Sequence, residues 1–115
     1  MIGWITARRR ARREAALAEI VRQQQAEGHR QEAARLEERA RQMRVAATGF
    51  ARNSPMRRRL ELLAAGSEEV AASRRALANG DTKLAELHEA EAGWFAARAA
   101  QYLATSRGEP VEVRL

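Results

Sequence analysis

Residues 33–50, AARLEERARQMRVAATGF, carry apolar side chains at Ala33, Leu36, Ala40, Met43, Ala47 and Phe50, spaced 3-4-3-4-3. On a helix that spacing gives one narrow apolar stripe, the kind that seats against another helix. Arg35, Glu37, Glu38, Arg39, Arg41 and Arg44 cover the remaining surface. A helix of this type is marginal alone in water and takes most of its stability from a partner laid along the stripe. The rest of the chain is expected to supply that partner.

Working outward, the composition favours helix everywhere. Twenty-six of the 115 residues are alanine, twenty arginine and fourteen glutamate. Glutamate outnumbers aspartate fourteen to one, and of the two acids Glu is the one a helix interior accepts, because Asp competes with the backbone for hydrogen bonds. Only twelve residues are Val, Ile or Thr, too few to furnish a sheet. The fold class expected is all-α: an antiparallel three- or four-helix bundle, or helical hairpins, with coiled-coil-like packing. The length suits a single domain, here residues 1–108 with a short tail over 109–115. Its core must be thin, since the aromatics are only Trp4, Phe50, Trp94, Phe95 and Tyr102. A thin core on a small chain argues for self-association or a protein partner.

Helix one is expected from about Thr6, as N-cap, to Glu27, with Leu17, Ile20, Val21 and Gln24 on its apolar face. Continued at the helix period, that stripe misses Ala33 and Leu36 by roughly a third of a turn. Either the chain folds back at Gly28 and a second helix covers 29–50, or one long helix changes its apolar face there. Both remain open: Gly is the usual C-terminal closing residue, while Glu27, Arg30, Gln31 and Glu32 all favour helix. Gly28, Ala40 and Ala47 resemble, in spacing, the glycine and two alanines of a tetratricopeptide-type helix pair. The repeat's Trp, Tyr and Pro positions are absent, and the next comparable glycine, Gly80, lies 52 residues on rather than about 34. The resemblance therefore implies helix-pair geometry and nothing more.

Later breaks are sharper. Asn53-Ser54-Pro55 sets a cap residue before a proline at the first helical position. The helix that follows, 55–78, carries Met56, Leu60, Leu63, Ser67, Val70, Arg74 and Leu77 in phase across Gly66, so one helix is the plainer expectation, although Gly66-Ser67 before Glu68 and Glu69 could end one helix and cap another. Asn79-Gly80-Asp81 is a turn, with Asp81 or Thr82 capping a last helix over 82–106. That helix displays Leu84, Leu87, Trp94 and Phe95, with Ala85, Ala92, Ala99 and Tyr102 nearby. The expected packing seam is Leu36, Met43 and Phe50 against Leu60, Leu63, Val70 and Leu77. The tail Val111–Leu115 alternates like a strand and could add to a partner's sheet edge, though fraying is the plainer expectation for five terminal residues.

Little in the chain suits catalysis. There is no cysteine, hence no disulfide and no thiolate chemistry. His29/Glu32 and His88/Glu91 share a spacing that could hold a metal ion, but such pairs arise readily in a Glu-rich helix, and solvated helix surface is the expectation. No catalytic, cofactor-binding or metal-binding residue is assigned, no cofactor is expected, and the chain is not expected to be an enzyme.

Charge is the better functional signal. Residues 1–67 carry a net +8 and residues 68–115 a net −2, which suggests an anionic partner for the first part or head-to-tail self-association. The arginines cluster at Arg8, Arg9, Arg10, Arg12 and Arg13, and again at Arg52, Arg57, Arg58 and Arg59. Either cluster could contact phosphates, although no helix-turn-helix or RNA-binding signature accompanies them; solvated helix surface is the plainer alternative. Trp4 and Ile5, beside the first cluster, could enter a partner's groove, rest on an anionic membrane surface, or simply cover one end of the core. The charges follow the apolar residues at the N-terminus, the reverse of a signal peptide, and no run reaches a membrane span; a cytoplasmic location is expected. The expected role is an interaction or assembly module, oligomeric or within a larger complex. Protein, self or heterologous, is the first expected partner, nucleic acid the second and a membrane surface the third, with no small-molecule substrate.

Overall fold

The computed structural model describes residues 2–106, which form three helices. Helix α1 spans Ile2–Ala47, α2 spans Pro55–Ala78 and α3 spans Thr82–Ser106. The expected all-α bundle is what forms, with no strand among the described residues. The tail over 109–115 lies outside them.

The open choice at Gly28 resolves as one helix. Helix α1 runs through Gly28 without interruption for 46 residues, so the helix-pair geometry of the tetratricopeptide resemblance is absent. The local sequence explains this, because residues on both sides of Gly28 favour helix and one interior glycine costs only about 1 kcal/mol. Two boundaries also shift. Thr6 is not a cap; it lies inside α1, where its hydroxyl donates to the Ile2 carbonyl at 3.0 Å. The first long helix closes at Ala47, before Phe50, in successive turns made by the amides of Thr48, Gly49 and Phe50.

The other expected boundaries hold. Pro55 opens α2 behind Ser54, whose side chain makes no capping bond. Gly66 does not break α2. At the second turn Gly80 takes the left-handed conformation, φ 77°, which costs glycine nothing. Asp81 then caps α3, its carboxylate accepting from the Leu84 amide at 3.0 Å.

Helix α2 is the centre of the fold. It packs against α1 on one side and α3 on the other, and α1 and α3 make no close approach to each other. Its two contact faces lie nearly opposite around the helix. Toward α1 it presents Leu60, Ala64, Ser67, Ala71 and Ala78; toward α3 it presents Gly66, Glu69, Ser73 and Ala76. Contacts with α1 repeat every seven residues in opposite chain senses. Arg44 binds Glu68 at 2.6 Å and Glu37 binds Arg75 on one flank. On the other flank the Ser67 hydroxyl donates to the Leu36 carbonyl at 2.8 Å, and His29 meets Arg74 at 3.4 Å.

The buried core is made almost wholly of alanine. Ala33, Ala40 and Ala47 of α1, Ala64, Ala71 and Ala76 of α2, and Ala85 and Ala99 of α3 are all at least 96% buried. Ala33/Ala40/Ala47, Ala64/Ala71 and Ala85/Ala92/Ala99 each recur at seven-residue intervals. Small side chains at that interval let the helix axes approach closely, and close approach lets the serine hydroxyls reach across to main-chain carbonyls.

The expected seam of large side chains is placed differently. Leu36, Met43, Leu60, Leu63, Val70 and Leu77 are half-buried beside the alanine seams, and Phe50 is exposed in the turn after α1. The physical reason is spacing: once alanines set the distance between axes, no Leu or Met fits between them, and the larger groups move to the flanks.

Candidate interaction surfaces

At about 1.5 Å per residue, α2 is roughly 36 Å long and spans only the second half of α1. Residues 2–25 of α1 therefore extend past the α2–α3 turn as an arm, and every one of them is exposed. The overall extents, 78 × 26 × 19 Å, reflect this projection. Near the arm's base, Glu19, Arg22, Gln23 and Ala26 border a groove that also touches Ala78, the last residue of α2.

The stripe expected on helix one, Leu17, Ile20 and Val21, lies on this arm with 49–62% of each residue exposed. It faces about 150° away from Ala33, Ala40 and Ala47 around the helix. The one unbroken helix thus carries two apolar faces, and only the second is covered within the chain. Trp4 and Ile5 do not cover the core; they sit near the far end of the arm, 65% and 47% exposed. The Arg8 guanidinium stacks over Trp4 at 5.0 Å from the ring centre, and both residues line a groove with Ile5, Arg9 and Arg12.

A second uncovered stripe runs along α3. Leu84, Leu87 and Trp94 are exposed because Ala85, Ala92 and Ala99, with Phe95, take the side facing α2. Trp94 is held from two directions. Its ring meets Phe95 edge-on at 5.1 Å, and Arg98 lies over it at 5.3 Å. In the sequence Leu84, Leu87 and Trp94 are the conspicuous apolar groups of this helix. The seven-residue alanine repeat in the same helix was the signal that they point outward.

The two arginine clusters are not brought together. Arg8, Arg9, Arg10, Arg12 and Arg13 ring the exposed arm, whereas Arg52, Arg57, Arg58 and Arg59 sit around the α1–α2 turn and the start of α2, roughly 60 Å away along α1. Arg57 is half-buried and engaged, binding Glu61 at 3.0 Å and donating to the Phe50 carbonyl at 3.1 Å. Arg52 and Arg58 are exposed, and Arg59 is half-buried.

The two histidines of the His/Glu pairs each face a neighbouring helix. His88 turns across to α2 and meets Glu69 at 2.7 Å, and His29 meets Arg74. No group of three or more metal-ligating side chains converges among the described residues. Between α1 and α2, Glu37, Arg41, Glu68 and Arg75 line a charged groove floored by Ala71 and Ala72. No described helix is long and apolar enough to cross a membrane. No protein-family model, curated protein or solved structure matches the chain.

Proposed function

We propose that this protein is a non-enzymatic helical interaction or assembly module, acting as an oligomer or within a larger protein complex. The observation that carries the proposal is the arm. Residues 2–25 continue α1 beyond its partner helix with their own apolar stripe uncovered. An isolated helical segment of that length is marginal in water, so a partner laid along Leu17, Ile20 and Val21 is what would hold it. The seven-residue repeats on all three helices make further coiled-coil-like pairing the natural mode.

Solution mass by light scattering at about 0.5 M salt, where the Debye length is only a few Å, tests the self-associating form. The expected result is a discrete mass above the monomer that is lost in Ile20→Glu. A monomer at all accessible concentrations would overturn that form.

A second reading has its own observation: five exposed arginines within two turns of a projecting helix make a phosphate-binding element. It predicts DNA or RNA binding that weakens steeply as salt rises. Binding insensitive to Arg9→Glu, Arg12→Glu and Arg13→Glu together would remove it. Membrane attachment through Trp4 is the third reading; it requires vesicle binding that depends on both anionic lipid and Trp4.

A further inference from the structure

We propose that the arm of one copy of this chain docks along α3 of a second copy. The inference rests on the assembly reading above and names its surfaces.

Within one molecule the two uncovered stripes cannot meet. Helices α1 and α3 lie on opposite sides of α2, and the arm leaves the folded part beyond the α2–α3 turn. Each stripe therefore needs an occupant from outside. The two match in length: the arm is residues 2–25 and α3 has 25 residues.

They also match in charge. The arm holds six arginines against Glu14 and Glu19, a net of +4. Helix α3 exposes Glu86, Glu89 and Glu91 and carries Lys83 and Arg98, a net of −1. On the arm, Ile5 and Leu17 bracket the block Arg8–Arg13; on α3, Leu84 and Trp94 bracket Glu86, Glu89 and Glu91. The two brackets span about 18 and 15 Å at the helical rise. Laid along the Leu84/Leu87/Trp94 stripe, an arm meets Glu91 within the stripe and Glu86 on its flank, while Glu89 lies on the far side of the helix. Parallel arms would instead set five arginines against five, antiparallel arms would still join two segments of net +4, and like charges across an interface cost free energy. This argues for α3 of a second copy over a second arm.

The test is a charge exchange confined to exposed residues, which leaves the alanine core untouched. One variant carries Arg9→Glu, Arg12→Glu and Arg13→Glu; the other carries Glu86→Arg, Glu89→Arg and Glu91→Arg. In each variant alone, arm and α3 have the same sign. Mixed, every arm meets an α3 of opposite sign. Sedimentation is measured at about 0.1 M salt, where charges within about 10 Å still interact. The expected result is an apparent affinity at least about tenfold weaker for each variant alone, restored on mixing to near the unmodified value. Circular dichroism is expected to show both variants as helical as the parent.

Association of the arm variant alone at the parent's strength overturns the proposal and points to arm-on-arm pairing. Failure of the mixture to recover also overturns it. In both cases an oligomeric parent leaves the assembly reading standing. A monomeric parent overturns the docking proposal together with the self-associating form, and the exposed arm then becomes a surface for an unlike partner.

Discussion

The Ser73 hydroxyl, buried between α2 and α3, donates to the main-chain carbonyl of Ala85 at 3.0 Å. A side chain as short as serine reaches the neighbouring backbone only where the helices nearly touch. The bond thus reports an approach set by Gly66, Ala76, Ala85 and Ala92, and Ser67 reports the same of α1 through Leu36. Ser73→Ala should cost about 1 kcal/mol, the usual net worth of one such bond. Ser73→Val should cost more, because two methyls would enter a space that admits one oxygen. Urea unfolding of the two variants checks the order.

Overpacking an alanine seam should harm the fold more than trimming a large exposed residue. Ala40→Leu and Ala71→Leu each force α1 and α2 apart, at an expected cost of about 1–3 kcal/mol. Val45→Ala, at a side chain 71% exposed, should stay within about 0.5 kcal/mol. The comparison is made from urea midpoints at one protein concentration, since association would shift apparent stability.

Two glycines should respond in opposite directions to alanine. At Gly28 an added Cβ meets nothing within 4 Å, so Gly28→Ala should stabilise α1 by about 0.5–1 kcal/mol. At Gly80, φ 77°, Gly80→Ala should cost about 1–2 kcal/mol. A loss at Gly28 in the thermal midpoint would contradict an unbroken helix through that point.

Removing the cap of α3 should loosen its first turn. Asp81→Ala deletes the acceptor for the Leu84 amide, with an expected cost of about 0.5–2 kcal/mol. Asp81→Asn should recover most of it, as asparagine caps nearly as well.

Amide exchange should divide α1 in two. In dilute solution, where association is absent, residues 4–22 should exchange rapidly and residues 30–47 slowly, with the change near Ala26. Tertiary burial, not helical hydrogen bonding alone, holds an amide closed. Raising the concentration should slow the arm selectively if a second copy covers it, which hydrogen-exchange mass spectrometry resolves by segment.

Much of the architecture was legible because its signals are local. Ser54-Pro55 and Asn79-Gly80-Asp81 mark boundaries through backbone chemistry that depends on no distant residue. Gly28 was ambiguous for the same reason: a glycine that can close a helix stood among residues that continue one, and only the packing of residues 29–47 on α2 decides between them. The core was partly misread because hydrophobic size was used as the guide. In a fold whose axes approach this closely, alanine fills the seam and leucine its margins, so Leu36, Met43, Leu60 and Leu63 lie beside Ala33, Ala40, Ala64 and Ala71. The two-sided character of α2 was latent in Gly66, Ser67 and Ser73, which look like helix weaknesses until both neighbours are in place.

The uninterrupted passage of α1 through Gly28 makes the aim of the arm a matter of counting. A single residue inserted between Val21 and Gln25 would swing Leu17 and Ile20 by about 100° relative to the folded part, while leaving the contacts of residues 29–47 with α2 intact. Seven inserted residues would carry the same face about 10 Å farther out and turn it by only about 20°. The span of the arm and the direction it faces can therefore be changed independently, by whole repeats or by single residues, without altering the alanine seams that hold the three helices together.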